Sequence, residues 1–207
     1  MLRFRHAIWP IILLLSATSF IPPPMTKTIL FFGNSLTAGY GLDPDQPFPA
    51  HIGRRLDSLH LPYKSVNAGV SGETTSGGLT RIGWILRQPV DIFVLELGAN
   101  DGLRGIPVET THANLQSIID TVRHRYPKCK ILLCGMRVPP SMGTTYSTAF
   151  HDIYTRLAGY NKIPLIPFLL EGVGGNPALN QADGIHPNPA GERIVTETVW
   201  KALHPLL

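Results

Sequence analysis

The sequence predicts an α/β fold with a mostly parallel sheet that carries helices on both faces. Short apolar runs alternate with longer amphipathic stretches along the chain, which is typical of strands joined by crossover helices. Hydrophobic residues make up 43% of the chain and charged residues 15%, so a core can be buried. The length of 207 residues fits one globular domain and a short extra segment.

The elements follow one another in a regular order. The run 91–98, DIFVLELG, is short and continuously apolar, as expected for a buried strand. The clearest helix is 107–126, where apolar residues recur near helical spacing. The other predicted strands are 27–33, 63–69, 130–136 and 163–169, and the other predicted helices are 47–59, 73–88, 146–160 and 188–203.

Residues 1–25 have the pattern of an export signal. Arg3 and Arg5 precede an apolar run that is interrupted by Pro10 and followed by small residues. The run is shorter than the ~20 apolar residues that span a bilayer. We therefore expect a protein exported to the periplasm or the medium, with 26–207 as its folded domain. A buried first helix and a retained membrane anchor are the alternatives.

The charge of the chain does not indicate a nucleic-acid partner. The formal net charge is +4, and two of these charges belong to Arg3 and Arg5. The basic cluster RHRYPKCK, 123–130, closes a predicted helix, where cations complement the C-terminal end of the helix dipole. No other stripe of Lys and Arg with interleaved aromatics occurs in the sequence.

Polar residues follow four of the five predicted strands. Ser35 follows the first strand, Gly72 the second and Asn100 the third, and Asp183 and His186 follow the fifth. In parallel sheets, ligands bind beyond the carboxyl ends of the strands. We therefore expect a hydroxyl, a backbone N–H, an amide and an acid–histidine pair to meet at one edge.

These residue types suit acyl transfer. A serine hydroxyl is a weak nucleophile and needs an adjacent base. His186 can remove the proton of Ser35, while Asp183 holds the imidazole in one tautomer and stabilises the imidazolium. The N–H groups of Ser35 and Gly72 and the amide of Asn100 can then donate to the oxyanion that forms.

Each feature also has a plainer interpretation. Ser71 could cap a helix, and it is a rival nucleophile; Asn100 could occupy a turn, and Asp183 could only shape one. His151, next to Asp152, is a rival base, but it falls within an amphipathic helix. The order nucleophile, donor, donor, acid and base along one edge favours the catalytic interpretation.

Four blocks of sequence resemble the SGNH hydrolases, also called the GDSL esterase/lipase family. They are GNSLTAGYG, NAGVSGETTSGG, VLELGANDGLRG and DGIHPNPAG, between residues 33 and 191. The chain is most similar to the bacterial thioesterase I/lysophospholipase L1 and arylesterase branch. The resemblance implies a three-layer α/β/α, flavodoxin-like fold with a five-stranded parallel sheet. It also implies a serine hydrolase that needs no metal and no cofactor.

The resemblance assigns roles to the residues already singled out. The serine, glycine, asparagine and histidine that give the family its letters correspond to Ser35, Gly72, Asn100 and His186, and Asp183 is the acid. Ser35, Gly72 and Asn100 form the oxyanion hole in this scheme.

One position departs from the family, and one loop is expected to bind substrate. The usual aspartate before the serine is Asn34, which keeps the turn and removes a charge near the nucleophile. Leu103, Arg104 and Gly105 resemble the substrate loop of the thioesterase/lysophospholipase branch. The stretch 138–150, VPPSMGTTYSTAF, is expected to supply an apolar, mobile wall for an acyl chain.

The predicted function is hydrolysis of carboxylic esters of the lysophospholipid, acyl-thioester or aryl-ester type. The expected partner is a small-molecule ester or lipid, with contact to membrane-surface lipid, and we expect a monomer. A carbohydrate acetylesterase is the alternative enzyme. Tryptophan at the rim of an open cleft would favour it, whereas Trp84 and Trp200 are expected to pack inside. A catalytically silent surface-binding module is the alternative outside enzymes.

Overall fold

The computed structural model describes residues 26–207, so the predicted export segment, 1–25, lies outside the described residues. The strands are β1 Lys27–Gly33, β2 Tyr63–Gly69, β3 Ile92–Glu96, β4 Lys130–Cys134 and β5 Leu165–Ile166. They are parallel and form one sheet in the order β2-β1-β3-β4-β5. The order matches the flavodoxin-like doubly wound sheet, with its switch point between β1 and β3. The predicted α/β class and strand number are confirmed.

Helices cover both faces of the sheet. The helices are α1 Ser35–Ala38, α2 Phe48–Ser58, α3 Thr75–Ile85, α4 Ala99–Leu103, α5 Val108–Arg125, α6 Thr144–Asn161 and α7 Pro189–Leu203. The helices α2 and α7 pack against each other, and α5 packs against α3 and α6. Aromatic side chains fill the space beneath them: the Phe31 ring meets Phe48 of α2 edge-on at 5.6 Å between centroids, and Phe32 meets Phe93 at 5.5 Å.

The predicted elements are present, but several bounds and two short helices differ from prediction. The fifth strand is only two residues long. Pro164 and Pro167 flank it, and a proline cannot donate a hydrogen bond to a sheet. The short helices α1 and α4 occupy predicted loops directly after β1 and just beyond the end of β3. Both lie at the carboxyl edge of the sheet, where the polar residues were expected.

The described residues contain no helix that is both long and apolar enough to cross a bilayer. The longest helices, α5 and α6, have 18 residues each and carry polar residues along their outer faces.

Candidate active site

The chain turns sharply where β1 ends, and this turn presents Ser35. Asn34 caps α1, because its Oδ1 accepts a hydrogen bond of 2.9 Å from the N–H of Leu36. Ser35 is therefore the first helical residue, and only 9% of its surface is exposed. Gly39 ends the helix in the left-handed conformation at φ 76°.

The Asp183 and His186 side chains bond to each other and to Ser35. His186 Nδ1 lies 2.7 Å from Asp183 Oδ2, and His186 Nε2 lies 2.8 Å from Ser35 Oγ. Asp183 Oδ1 also accepts the N–H groups of Ile185 and His186 at 2.9 and 3.0 Å. The side-chain hydrogen bond from His186, followed by these N–H groups, lowers the pKa of Asp183 to about 2.

An ionised Asp183 sets the tautomer of His186. The carboxylate can only accept, so Nδ1 carries the proton and the Nε2 lone pair faces the Ser35 hydroxyl. This arrangement allows His186 to act as a general base toward Ser35.

Gly72 and Asn100 line the same cleft as Ser35. The Gly72 peptide is held in a left-handed conformation, with φ 79°, and its carbonyl oxygen accepts a 3.0 Å hydrogen bond from Arg104. Asn100 Nδ2 donates to the carbonyl oxygen of Glu73 at 2.9 Å. Among the described residues, no acceptor bonds the N–H of Ser35 or of Gly72.

Two buried carboxylates brace the loops that carry these donors. Asp101 is fully buried and accepts the N–H and hydroxyl of Thr75 at 2.8 and 2.5 Å, which ties α4 to the start of α3. Glu73 accepts two hydrogen bonds from Arg81 at 2.6 and 2.5 Å. The Arg81 guanidinium also donates to Ala68 at the end of β2. Bidentate pairs of this kind fix orientation strongly.

The cleft over Ser35 has a volume of about 570 Å³ and is mainly apolar. Of the predicted wall 138–150, Val138 and Pro139 are the residues with described side chains that line the cleft. The rest of that stretch forms a 3-10 turn and the start of α6. Tyr40, Phe168, Leu170 and Ile185 also line the cleft with apolar surface, and the sequence analysis did not assign these four residues to substrate binding.

The structure separates the three residues of the predicted substrate loop. Leu103 lines the cleft and is 42% exposed. Arg104 and Gly105 are not among its lining residues, and the Arg104 guanidinium binds the Gly72 carbonyl instead.

The rival residues lie elsewhere or lack the required partner. Ser71 lines the cleft, but the imidazole of His186 bonds Ser35. His151 lies on α6, with its Nδ1 3.6 Å from Asp152. The expectation that Trp84 packs inside is wrong: it is 65% exposed and lines a groove together with residues of β2. Trp84 lines a different groove from the Ser35 cleft.

Two further residues hold His186 in place. The Tyr40 ring lies against the imidazole, with 4.7 Å between centroids. The Gln181 backbone N–H donates to the carbonyl oxygen of His186 at 2.7 Å, and its side-chain amide donates to the carbonyl oxygens of Tyr40 and Pro187. The sequence analysis selected neither residue. Tyr40 meets His186 across a long chain separation, whereas Gln181 lies in the same loop as His186.

Residues 31–194 match the model of the GDSL-like lipase/acylhydrolase family. The chain is 41% identical to "Esterase TesA" of Pseudomonas aeruginosa over 182 residues, 87% of this chain and 90% of that protein. It is 37% identical to "Thioesterase 1/protease 1/lysophospholipase L1" of Escherichia coli over 181 residues, 87% of this chain and 85% of that one. It is also 35% identical to an "Arylesterase" of Vibrio mimicus over 179 residues, covering 86% and 88%.

The fold agrees with these relatives. A crystal structure of TesA superposes with a TM-score of 0.83 at 41% identity, covering 87% of this chain and all of that one. Fold and sequence together define a carboxylic ester hydrolase of the SGNH type. The chain belongs to the GDSL-like lipase/acylhydrolase family.

Proposed function

We propose that Ser35 is the nucleophile of this esterase, with His186 as its base and Asp183 as the acid that orients the imidazole. The observation that carries this assignment is the Ser35 Oγ–His186 Nε2 separation of 2.8 Å, with His186 Nδ1 bonded to Asp183. No other described residue bonds an imidazole that is braced in this way.

The reaction begins as His186 Nε2 takes the Ser35 proton while the serine oxygen attacks the carbonyl carbon of an ester or thioester. The oxyanion accepts hydrogen bonds from the N–H groups of Ser35 and Gly72 and from the Asn100 amide. Collapse of the tetrahedral intermediate expels the alcohol or thiol, which takes the proton from His186. Water then attacks the acyl-enzyme while His186 takes its proton. The bond between the acyl group and Ser35 Oγ breaks, His186 returns the proton to Ser35, and the carboxylic acid leaves.

The substrates we propose are lysophospholipids, fatty-acyl thioesters and aryl esters. The relatives named above include an arylesterase and a thioesterase/lysophospholipase. The apolar lining of the cleft supports an acyl group with a hydrocarbon or aromatic body. No tryptophan occurs among the described residues that line the cleft, so the feature that would favour a sugar ester is missing there.

The first experiment compares Ser35→Ala with the wild type on a short p-nitrophenyl ester and with a fluorophosphonate probe. We expect the variant to lose turnover by at least about 10³-fold and to resist labelling, while its thermal unfolding is unchanged. Turnover that survives this substitution would end the assignment of Ser35. Ser71→Ala is the matched control, because that hydroxyl lines the same cleft, and its turnover should stay within about threefold.

The second experiment measures kcat/KM across acyl lengths for esters, thioesters and lysophospholipids. A rise with chain length supports the proposed apolar substrates. A preference for acetyl esters of sugars over all of these would contradict it.

We further propose that residues 1–25 direct export to the periplasm or the medium and that 26–207 acts as a monomer. The pattern around Arg3, Arg5 and the apolar run supports export. Contact with membrane lipid is supported by exposed apolar side chains at the cleft, Leu103 at 42% and Ile185 at 49%. N-terminal sequencing of the mature protein, light scattering and vesicle flotation test the three points.

A further inference from the structure

A buried carboxylate lies beneath the turn that carries Ser35. Glu96 is the last residue of β3 and is fully buried. Its Oε1 accepts a 2.7 Å hydrogen bond from Asn34 Nδ2. Its Oε2 accepts the Asn34 N–H at 3.1 Å and the Thr37 hydroxyl at 2.7 Å. Within residues 26–207, all of its hydrogen-bond donors therefore belong to one turn.

The Asn34 amide connects this carboxylate to the first turn of α1. Asn34 Oδ1 accepts the Leu36 N–H at 2.9 Å, and Ser35 Oγ is 3.4 Å from the same oxygen. The amide can take only one orientation. If it were flipped, its oxygen would face Glu96 and its NH2 group would face the Leu36 N–H.

The space around this contact is filled. A Cβ added at Gly33 would collide with the Thr37 hydroxyl and the Glu96 carboxylate. Glycine at this position allows the carboxylate to reach the turn directly. A substitution at Glu96 would therefore displace the turn, because no empty space is available to accommodate it.

The donors around Glu96 suit an ionised carboxylate. Burial raises the pKa of Glu96 to about 7, and the hydrogen bonds from Thr37 and Asn34 act in the opposite direction. Among the described residues, Glu96 adds to the effect of burial in raising the pKa of Cys134, Tyr154 and Glu192, and none of these three side chains is a cation. An aspartate at position 34 would place two carboxylates in contact, and one would have to hold a proton. Asn34 supplies the donor without that proton.

We propose that Glu96 is a positioning residue for the nucleophile. It fixes the Asn34 amide, and through it the first turn of α1, so that the Ser35 hydroxyl stays aligned with His186. This inference rests on the proposed role of Ser35. Because Glu96 is sealed beneath the turn, it acts on the turnover step rather than on substrate binding.

The direct test is Glu96→Gln, measured as kcat and KM on a p-nitrophenyl ester and as the rate of fluorophosphonate labelling. The new NH2 group must face either the Asn34 amide or the Asn34 N–H, both of which are donors. We expect kcat and the labelling rate to fall ~10- to ~100-fold, with KM within about twofold.

A reciprocal exchange separates positioning from general damage. Asn34→Asp combined with Glu96→Gln swaps the carboxylate and the amide, so that a donor again meets an acceptor between the two positions. We expect the kcat of this double variant to be at least about threefold higher than the kcat of Glu96→Gln alone. A structural defect alone would make the two losses add.

A milder pair of variants covers the case in which Glu96→Gln does not fold. Thr37→Val removes one donor to Glu96, and Thr37→Ser keeps it. We expect kcat to fall about threefold or more for valine and to stay near the wild-type value for serine. Asp91→Asn is the control, since this carboxylate accepts the Thr28 N–H of β1 instead of the nucleophile turn and does not line the cleft. Its kcat should be unchanged.

The outcomes are distinguishable from failure of the proposed function. If Ser35→Ala is inactive while Glu96→Gln and Thr37→Val keep kcat within about twofold, only the positioning role is overturned. The same holds if the reciprocal exchange is no better than Glu96→Gln alone. If Ser35→Ala remains active, the assignment of the nucleophile itself fails.

Discussion

The side-chain amide of Gln181 donates a 2.6 Å hydrogen bond to the carbonyl oxygen of Tyr40, across a separation of 141 residues. This contact joins the loop after α1 to the loop that carries Asp183 and His186. The same amide donates to the carbonyl oxygen of Pro187 at 3.0 Å. Gly41 allows the close approach, because a Cβ there would collide with the Gln181 side chain.

Removing this link should weaken catalysis more than stability. We expect Gln181→Ala to lower kcat/KM about 10-fold, because two hydrogen bonds worth ~0.5–1.5 kcal/mol each hold the loop of the base. Gln116→Ala on α5 is the matched control, since its amide also donates two hydrogen bonds, to Asp120 and to Asn161 of α6, and it does not line the cleft. Equal kinetics for the two variants would contradict this reading of Gln181.

The Tyr40 ring should support catalysis through the contact of its face with His186 and not through its hydroxyl. It packs on the His186 imidazole at 4.7 Å. Contacts of this type contribute ~0.5–1.5 kcal/mol, so Tyr40→Ala should lower kcat/KM roughly 2- to 12-fold. Tyr40→Phe should match the wild type, and so should Tyr160→Ala, a tyrosine that is 81% exposed on α6. A loss in the phenylalanine variant would instead assign a role to the hydroxyl.

Two glycines of α3 should respond to alanine in opposite directions. At Gly78 a Cβ would collide with Leu97 and press on Phe32, whereas at Gly83 no atom lies within 4 Å. Gly83→Ala should therefore stabilise the protein by ~0.5–1 kcal/mol. Gly78→Ala should destabilise it by ~1–3 kcal/mol. Urea denaturation measures both, and a stabilised Gly78→Ala protein would show that α3 shifts freely on the sheet.

Stability should fall as the pH rises from about 5 to 8. Burial raises the pKa of Glu96 to about 7 and that of Glu192 to about 8, from an ordinary 4.5. In this window these two carboxyl groups retain protons in the folded protein that the unfolded chain has released, so they decrease the free energy of unfolding. Burial lowers the pKa of His51 and His112, which acts in the opposite direction below about pH 6.5. Each group contributes a slope of up to ~1.4 kcal/mol per pH unit. The lowered pKa of Asp183 acts only below about pH 4.

Denaturation at pH 5 and pH 8 checks this dependence. Glu192→Gln should reduce the difference in unfolding free energy between the two values, because one titrating group is removed. Glu197→Gln should preserve this difference. Glu197 lies on α7, as Glu192 does, but it is exposed and forms a salt bridge with Arg55. A wild-type protein that is more stable at pH 8 than at pH 5 would reverse the prediction.

The sequence predicts the structural features that depend on residues close together in the chain. The strand and helix order is confirmed because apolar runs and helical spacing recur along the chain. The short helices α1 and α4 escaped prediction because four or five residues carry no periodicity. The candidate site residues were selected because each follows a predicted strand, and the structure brings them to one edge of the sheet. They are Ser35, Gly72, Asn100, Asp183 and His186.

The residues that the sequence does not reveal act at long range. Glu96 reads as one more residue of a buried strand, and only the tertiary structure places it under Asn34. Trp84 could not be assigned to the surface, because its exposure depends on how α3 lies against β2. Arg104 follows a cleft residue in sequence, yet its long side chain reaches back to the Gly72 loop.

The stretch from Leu179 to Asn188 folds back on itself. Its backbone bonds join Asn188 to Leu179 at 2.9 Å and Gln181 to the carbonyl of His186 at 2.7 Å. Contacts within one ten-residue span thus bring Asp183 and His186 together. Ser35, in contrast, follows the first strand, near the N-terminal end of the domain. During refolding, the Asp183–His186 pair can form once this short loop closes. Its hydrogen bond to Ser35 can form only after the sheet has assembled, because the two segments are far apart in the sequence.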